Sequence, residues 1–264
     1  MPDKLKIVAL GSGNLAHHLV PALRDIDCHI TQVYSRDISR AKSLAHLVEA
    51  DAIDDITHLD TEADVYIIMI KDDALESFVD KLPCFNASQT LAHTAGAKAI
   101  DILGKRAINY GSFYPLQTFK RNQAMDMSEV PFFINGNNAT ATANLRIMAR
   151  MISSKVEVYS DSERMKYHLA AVFVNNFNNH LACLTQNFLE SNGLKFEHLE
   201  AIIKTGNEKI LQMQACQSQT GPAVREDHLL MEKHLEIIKD DKQLSEIYKI
   251  ISKSIIDQHR KEKA

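Results

Sequence analysis

Cysteine is scarce in this sequence, and the residues that occur lie far apart. They form no C-x-x-C pair and have no histidine at ligand spacing, which argues against a zinc site. A chain of 264 residues also has little need of a disulfide framework. We therefore expect small, buried apolar side chains at the four positions, Cys28, Cys84, Cys183 and Cys216.

An excess of charge of one sign is lacking too, and so are long apolar runs. The formal net charge is -4, so no global basic field attracts nucleic acid or an anionic membrane. No run is long enough to span a bilayer, and no signal-peptide pattern opens the chain. With 45% hydrophobic residues, the composition is that of a globular protein with a core. We expect a cytoplasmic protein without nucleic-acid, membrane or metal partners.

Strand-like and helix-like segments alternate in the first half of the chain. Leu5–Leu10 predicts a buried strand, Asn14–Arg24 a helix, and the apolar run Val65–Ile70 a strand buried on both faces. Such alternation is typical of a doubly wound, mostly parallel α/β sheet. The other predicted strands are His29–Ser35, Gln89–His93, Ala107–Tyr110, Pro131–Asn135 and Lys155–Val158.

The pattern changes near Ser160, where Ser160 and Glu163 form a capping-box signature for a helix start. Strand patterns end there, so we predict an α/β domain at 1–157 and an all-helical domain at 158–264. Glycines separate most of the helical segments. The predicted helices are Met165–Leu189, Glu197–Lys204, Glu208–Ala215, Glu226–Ile238 and Ser245–Gln258.

A G-x-G-x-x-A turn joins the first predicted strand to the first predicted helix. In that context the first glycine permits the tight turn, the second lets a pyrophosphate approach the backbone, and the alanine allows close helix–strand packing. The helix N-terminus supplies free N–H groups for the anion. The turn predicts dinucleotide binding; the alternative is a glycine-rich turn without a ligand. Its residues are Gly11, Ser12, Gly13, Asn14, Leu15 and Ala16.

The end of the second strand favours NADP over NAD. NAD-binding units usually place a carboxylate there for the ribose 2′-hydroxyl. Here the strand ends in Ser35 and Arg36, which suit a 2′-phosphate. Asp37 is placed to begin the next helix, and Arg36 could alternatively be a surface residue paired with Asp37 or Glu49.

Beyond the third strand, Lys71 and Asp72 are expected to border the ribose and nicotinamide, because ligands bind at the carboxyl ends of parallel strands. Asp72 or Asp73 could equally cap the following helix. His93 ends another strand at the same edge and could protonate a carbonyl or imine, or be a structural residue. The irregular, aromatic segment Tyr110–Phe119 resembles a functional loop.

The long predicted helix carries histidine and asparagine inside an apolar sequence. With Val172, the residues His168, Asn175 and Asn179 share one stripe at helical spacing. Buried amides need partners, so this stripe should face a cavity, a ligand or a subunit contact; a solvated face is the alternative. Arg225 could clamp a substrate carboxylate, or pair with Asp227 at a helix start.

Six ordered motifs together resemble a bacterial family of NADP oxidoreductases with a Rossmann-like domain and a helical C-terminal domain of unknown function. They are G-S-G-N-L-A, I-M-I-K-D-D-A-L, H-T-A-G, Y-P-L-Q-T-F, H-L-A-A-V-F-V-N-N-F and T-G-P-A-V-R-E-D. The family is distantly similar to pyrroline-5-carboxylate reductase, deazaflavin-dependent NADP reductases and β-hydroxyacid dehydrogenases. The C-terminal domain resembles that of 6-phosphogluconate dehydrogenase.

The resemblance implies a homodimer through the helical domains and a small-molecule substrate in the cleft between the two domains. Two positions depart from the family: Tyr114 stands where histidine is usual, and Glu226 where glycine is usual. The lysine–asparagine pair of β-hydroxyacid dehydrogenases is also missing. We therefore predict an NADP(H)-dependent oxidoreductase acting on a keto acid, hydroxy acid or imine. His168, Asn175 and His93 are its catalytic candidates, and Tyr114, Asn179 and Arg225 its substrate-binding candidates. The alternatives are a non-catalytic NADP sensor and a deazaflavin-dependent reductase.

Overall fold

The computed structural model describes residues 4–263 and contains one eight-stranded sheet. Its strands lie in the order β3-β2-β1-β4-β5-β6-β7-β8, and all neighbours are parallel except the antiparallel pair β6 and β7. This is the predicted α/β Rossmann-like fold. The strands are β1 Lys6–Leu10, β2 His29–Tyr34, β3 Asp51–Ile53, β4 Val65–Ile68, β5 Phe85–His93, β6 Ala107–Pro115, β7 Phe132–Gly136 and β8 Val156–Val158.

The sheet is buried on both faces, as the apolar runs predicted. Successive residues of β1 enter different cores: Ile7 and Ala9 join one, Val8 and Leu10 the other. All four residues of β4 are buried. The first core packs against helices α1 Ala16–Asp25, α2 Ile38–Val48 and α4 Ala139–Ile152, and the second against the short helix α3 Leu75–Val79.

Two predictions about the strands need correction. The short strand β3 carries no distinct sequence signal and was not predicted. The segment Tyr110–Phe119 is not a loop throughout, because β6 continues to Pro115 through pairing with the antiparallel strand β7. That pairing supplies backbone hydrogen bonds to residues whose composition suggests a turn.

The chain divides into two compact units, residues 1–174 and 175–264. The first ends with helix α5 Asp161–Ala171, which begins at the predicted capping box: the Ser160 hydroxyl accepts the Glu163 N–H and the Glu163 carboxylate accepts the Ser160 N–H. The predicted helix Met165–Leu189 is wrong as a single α-helix. The run Val172–Phe177 is a π-helix, followed by α6 Asn178–Ser191.

The second unit is helical, with almost nothing buried among its described residues. Between 175 and 262 only Ala223 and Ser245 are buried. The two helices predicted around Gly206 form one helix, because the glycine is accommodated inside it. The helices after α6 are α7 Glu200–Gln212, α8 His228–Ile237 and α9 Lys242–Lys263.

The cysteine prediction is wrong at three of four positions: Cys28 is buried, but Cys84, Cys183 and Cys216 are exposed. Within the described part of the chain, no group of histidine, cysteine and carboxylate residues is arranged to hold a metal ion. Helices long and apolar enough to cross a membrane do not occur in that part either.

Candidate nucleotide and proton-transfer site

The turn between β1 and α1 can be built only with glycine at its first position. Gly11 has φ of +135°, a conformation that side chains rarely adopt, and a Cβ there would lie 2.3 Å from the Met69 carbonyl oxygen. Gly13 is exposed, and a Cβ on it would meet nothing nearer than that same oxygen, at 4.0 Å. Ala16 is fully buried beneath the turn. The turn therefore leaves the backbone open to a ligand at Gly13.

A cavity of about 790 Å³ opens at this turn, within the range of about 300–1,000 Å³ typical of ligand sites. It lies at the carboxyl ends of β1, β2, β4 and β5, where the strand order reverses between β1 and β4. Its lining comprises Gly11, Ser12, Gly13, Asn14, Leu15, Tyr34, Ser35, Arg36, Arg40, Met69, Ile70, Lys71, Asp73, Ala74, Ser77, Phe78, Lys81 and Thr94.

The cavity is cationic. Its lining contains four cationic side chains, Arg36, Arg40, Lys71 and Lys81, and one carboxylate, Asp73. Such a balance suits an anionic ligand. Sequence reasoning missed Arg40 and Lys81. Arg40 stands in the first turn of α2, directly after the strand end that favoured NADP, and this position could have revealed it.

Asp37 is the carboxylate near the end of β2 that could repel a 2′-phosphate, but its side chain caps a helix. Its side chain caps α2 by accepting the Ser39 N–H at 3.0 Å, as predicted. Arg40 lies 3.4 Å from Asp37 in an exposed ion pair, whereas Arg36 makes no ion pair with any described residue. Hydrogen bonds, led by that from the Ser39 hydroxyl, keep the pKa of Asp37 below its usual value.

Eight of the ten predicted cofactor residues line the cavity. The exceptions are Ala16, which lies beneath the turn, and Asp72, whose neighbour Asp73 lines the cavity in its place. Asp72 and Asp73 lie at the start of a short 3-10 helix, Asp72–Ala74, which has no side-chain cap. The alternative prediction, that one of these aspartates caps the helix, is therefore wrong.

Tyr114 and His168 meet beside the end of β5. The Tyr114 hydroxyl lies 3.1 Å from Nδ1 of His168, although the two residues are 54 positions apart. Gly96 makes this contact possible, since a Cβ there would lie 2.5 Å from His168 Nδ1 and 3.0 Å from Tyr114 Cζ. Burial raises the pKa of Tyr114 to about 12; Asp72 acts in the same direction and Arg164 opposes it.

Arg164, which the sequence analysis did not single out, is the largest fully buried side chain of the described residues. It donates from Nη1 to Asp161 at 2.7 Å and to the Ser112 hydroxyl at 2.9 Å. It also donates from Nε to the Gly96 carbonyl at 3.3 Å and from Nη2 to the Lys98 carbonyl. Its partners lie up to 68 positions away, so no local pattern could have indicated them.

Asp161 completes this buried group. It accepts hydrogen bonds from the Ile100 N–H at 2.9 Å and the Asn135 amide at 3.0 Å as well as from Arg164. Burial raises the pKa of Asp161, but these hydrogen bonds together outweigh it and hold the pKa below its usual value. The carboxylate is therefore charged and balances the guanidinium of Arg164.

His93 lies in the same interior and is fully buried. Its Nδ1 accepts the Ala95 N–H at 3.1 Å, which places the ring proton on Nε2. Burial first, and then the charge of Arg164, lower the pKa of His93 to about 4, against opposing effects of the Ala99 carbonyl and Asp161. The ring is therefore neutral at pH 7, and the catalytic role predicted for His93 stays a prediction.

The remaining candidates lie in the second unit. Asn175 is half-buried, and Asn179 is exposed and donates from its side-chain amide to Oδ1 of Asn175 at 3.5 Å. Their predicted stripe with His168 assumed 3.6 residues per turn throughout, which the π-helical run does not keep. Arg225 is exposed and makes no ion pair with a described residue. Asp227 caps α8 through the Leu230 N–H, and it forms no ion pair with Arg225 among the described residues.

Comparisons with known proteins agree with this architecture. A family profile described as a domain of unknown function, DUF2520, matches residues 130–255. No curated protein matches the chain. Among solved structures, BF3122 from Bacteroides fragilis, whose description is "putative NADP oxidoreductase", is 33% identical with a TM-score of 0.87, over 96% of this chain and 98% of that chain.

Two more distant structures share the fold. Protein TM1727 from Thermotoga maritima is 23% identical, with a TM-score of 0.75 over 98% of this chain and 100% of that chain. A reductive aminase from Aspergillus terreus, solved in complex with NADPH and ethyl-5-oxohexanoate, is 14% identical, with a TM-score of 0.73 over 98% of this chain and 96% of that chain. The predicted resemblance to Rossmann-like proteins with a helical C-terminal region is confirmed.

Proposed function

The chain belongs to the family of BF3122 from Bacteroides fragilis, and from this membership we propose that it is an NADP(H)-dependent oxidoreductase. The observation that carries the proposal is the cationic cavity at the Gly11–Leu15 turn, which Arg36 and Arg40 line while Asp37 is engaged as a helix cap. A carboxylate at the end of β2 would repel a 2′-phosphate, and none lines the cavity there.

The residues of the cavity fit the parts of a dinucleotide. The exposed backbone at Gly13 and the N-terminus of α1 suit a pyrophosphate. Ser35, Arg36 and Arg40 suit a 2′-phosphate through hydroxyl and guanidinium donors. Lys71 and Thr94 line the part of the cavity at the ends of β4 and β5. When bound, the nicotinamide ring supplies or accepts the hydride.

We assign proton transfer to Tyr114 and His168. Because Nδ1 of His168 is engaged with the Tyr114 hydroxyl, Nε2 is the ring atom available to exchange a proton with a substrate heteroatom. This suits reduction of a small polar substrate such as a keto acid or an imine, or the reverse reaction on a hydroxy acid. The substrate roles of Asn175, Asn179 and Arg225 stay predictions.

We also propose that the protein is a homodimer through its second unit. Apart from Ala223 and Ser245, no described residue of that unit is buried, and large apolar side chains point to solvent. Leu211 is 86% exposed, Leu229 75% and Ile250 70%. Exposed apolar side chains of this size are typical of a protein interface, because a helical unit needs to bury its apolar faces.

Isothermal titration with NADPH and NADH tests the nucleotide proposal. We expect the wild type to bind NADPH more tightly, and the double variant Arg36→Ala, Arg40→Ala to lose about 10- to 100-fold in NADPH affinity, since charged hydrogen bonds contribute about 1.5–3 kcal/mol. NADH affinity should change little. The control Arg150→Ala, on the exposed side of α4, should leave both affinities unchanged. Equal wild-type affinity for the two nucleotides would overturn the assignment of NADP.

Turnover separates an enzyme from a sensor. NADPH oxidation is followed with keto acids, imines and a deazaflavin, and we expect at least one keto acid or imine to be reduced. Tight NADPH binding without turnover of any member would favour the non-catalytic alternative.

Sedimentation tests the dimer: Leu211→Glu should yield monomer, whereas the control Leu47→Glu, 49% exposed on α2, should not.

A further inference from the structure

We propose that Arg164 is a positioning residue that holds the Tyr114–His168 pair in one hydrogen-bonded arrangement. The function assigned to that pair rests on the proposed oxidoreductase activity, but the positioning role is a property of the folded chain.

Arg164 is bound on several sides by groups that cannot move independently. Its side chain is 1% exposed, and its four hydrogen bonds end on two backbone carbonyls, a buried hydroxyl and a carboxylate. The carboxylate, Asp161, is itself held by the Ile100 N–H and Asn135. A planar guanidinium can satisfy acceptors in these fixed directions, and an ammonium group cannot.

The partners of Arg164 are the residues on which the pair rests. Arg164 precedes His168 by one helical turn, so both side chains lie on the same face of α5. Ser112 precedes Tyr114 by two residues on β6, which places both on the same face of that strand. Gly96, whose carbonyl Arg164 holds, is the residue against which both rings pack. One side chain therefore fixes the helix, the strand and the glycine that determine the distance between Tyr114 and His168.

The guanidinium also places a positive charge near the pair. The charged or titratable groups that act on Tyr114 are Asp72 after β4, and Arg164 and His168 on α5. Of these, Arg164 lowers the pKa of Tyr114, against burial and Asp72. It thus favours the phenolate that forms when His168 gives its Nε2 proton to a substrate heteroatom and takes the proton of the Tyr114 hydroxyl at Nδ1.

The tautomer of His168 gives a test that needs no substrate. If the Tyr114 hydroxyl donates to Nδ1, as the proposal requires, the ring proton of His168 lies on Nε2, and nitrogen chemical shifts of ¹⁵N-histidine-labelled protein report this tautomer. The His168 signal is assigned by its loss in His168→Gln. We expect one dominant Nε2–H tautomer in the wild type, and a mixture in Tyr114→Phe, which removes the donor.

Arg164→Lys keeps the positive charge but loses the planar guanidinium that donates several hydrogen bonds in fixed directions. If Arg164 positions the pair, this folded variant shows a mixture of tautomers, as Tyr114→Phe does, while NADPH affinity stays within about threefold of wild type. Ser112→Ala removes one hydrogen-bond acceptor of Arg164 and keeps the arginine, and it should give a tautomer mixture between those of wild type and Arg164→Lys. This variant replaces Arg164→Lys in the test if the lysine variant does not fold. The control Arg106→Lys, at another arginine that donates to a backbone carbonyl, leaves His168 unchanged.

If His168 in Arg164→Lys showed the same tautomer as in the wild type, the proposal would be overturned. The same result in Ser112→Ala would overturn it if the lysine variant does not fold. Failure of the wild type to bind NADPH would instead overturn the proposed function and leave the tautomer result standing. With any substrate found by turnover, Arg164→Lys should lower kcat by about 10- to 100-fold with little change in NADPH affinity. A merely structural role would weaken both together.

Discussion

Arg260 near the end of α9 holds both carboxylate oxygens of Glu226, with Nε–Oε1 at 2.9 Å and Nη2–Oε2 at 2.5 Å. Glu226 has φ of +54°, in the left-handed region that favours glycine, and glycine is the residue usual in the family at this position. The chain therefore replaces a conformationally free residue by one that pairs with a helix 34 positions away.

Substitutions at Glu226 should separate backbone strain from the ion pair. Both Glu226→Gly and Glu226→Ala lose the pair, but only glycine relieves the left-handed backbone, which costs about 1–2 kcal/mol for other residues. We expect the glycine variant to be more stable than the alanine variant by about 1 kcal/mol in urea unfolding.

Glu232, exposed on α8, is the matched control. In a helix the order reverses, so Glu232→Ala should be more stable than Glu232→Gly by up to about 1 kcal/mol. If Glu226→Ala were as stable as Glu226→Gly, the strain at Glu226 would have no energetic weight.

Gly11→Ala should destabilise the fold. The new methyl group would lie 2.3 Å from the Met69 carbonyl oxygen, and φ of +135° is strained for alanine, so the turn must move. We expect a loss of roughly 2 kcal/mol or more in the free energy of unfolding, together with weaker NADPH binding. Gly206→Ala in α7, where a Cβ meets nothing within 4 Å, should be neutral or stabilising by up to about 1 kcal/mol. Equal effects of the two substitutions would contradict this account.

Gly13→Ala should affect binding without affecting folding. A Cβ there has its nearest neighbour at 4.0 Å, so the folded chain accommodates it. The methyl group would nevertheless project where a pyrophosphate is proposed to approach the backbone. We expect an unchanged melting temperature and a loss of about tenfold or more in NADPH affinity by calorimetry. Unchanged affinity would remove the pyrophosphate from this turn.

His93 should make stability depend on pH in a defined window. Above about pH 6.5 the ring is neutral in the folded and the unfolded chain, and contributes no difference. Below that, the unfolded chain binds a proton that the folded chain refuses until about pH 4, so stability falls as pH falls through this window. At pH 5 the loss amounts to about 2 kcal/mol.

The measurement compares urea unfolding at pH 7 and pH 5 in three proteins. His93→Asn removes the titrating group and should lose about 2 kcal/mol less than wild type between the two values. His46→Asn, at an exposed histidine, should follow the wild type. An identical pH dependence of wild type and His93→Asn would show that His93 titrates alike in the folded and unfolded chain.

The features that sequence predicted well are those written in consecutive residues. The turn at Gly11, the helix cap at Asp37 and the capping box at Ser160 each depend on neighbours within a few positions, and all lie where they were expected. Apart from β3, the strands of the sheet follow from their local sequence patterns for the same reason.

The features that sequence could not predict depend on distant partners. Arginine is usual on the surface of a helix, so nothing in the local sequence indicates that Arg164 is buried. It is held in the interior by contacts with distant residues between positions 96 and 112. The extension of β6 to Pro115 depends on the antiparallel strand β7, which follows a loop. His93 was expected at the open edge of the sheet, but it is buried. The charge of Arg164, on the distant helix α5, adds to the effect of burial in lowering its pKa.

The cationic cavity has a kinetic consequence. Arg36, Arg40, Lys71 and Lys81 gather at one opening on a chain whose net charge is -4, so an approaching polyanion meets attraction there and repulsion elsewhere. Such a field acts over about a Debye length, roughly 8 Å at physiological ionic strength, and guides encounters before any contact forms. Added salt should therefore slow the association of the dinucleotide much more than it alters the lifetime of the complex.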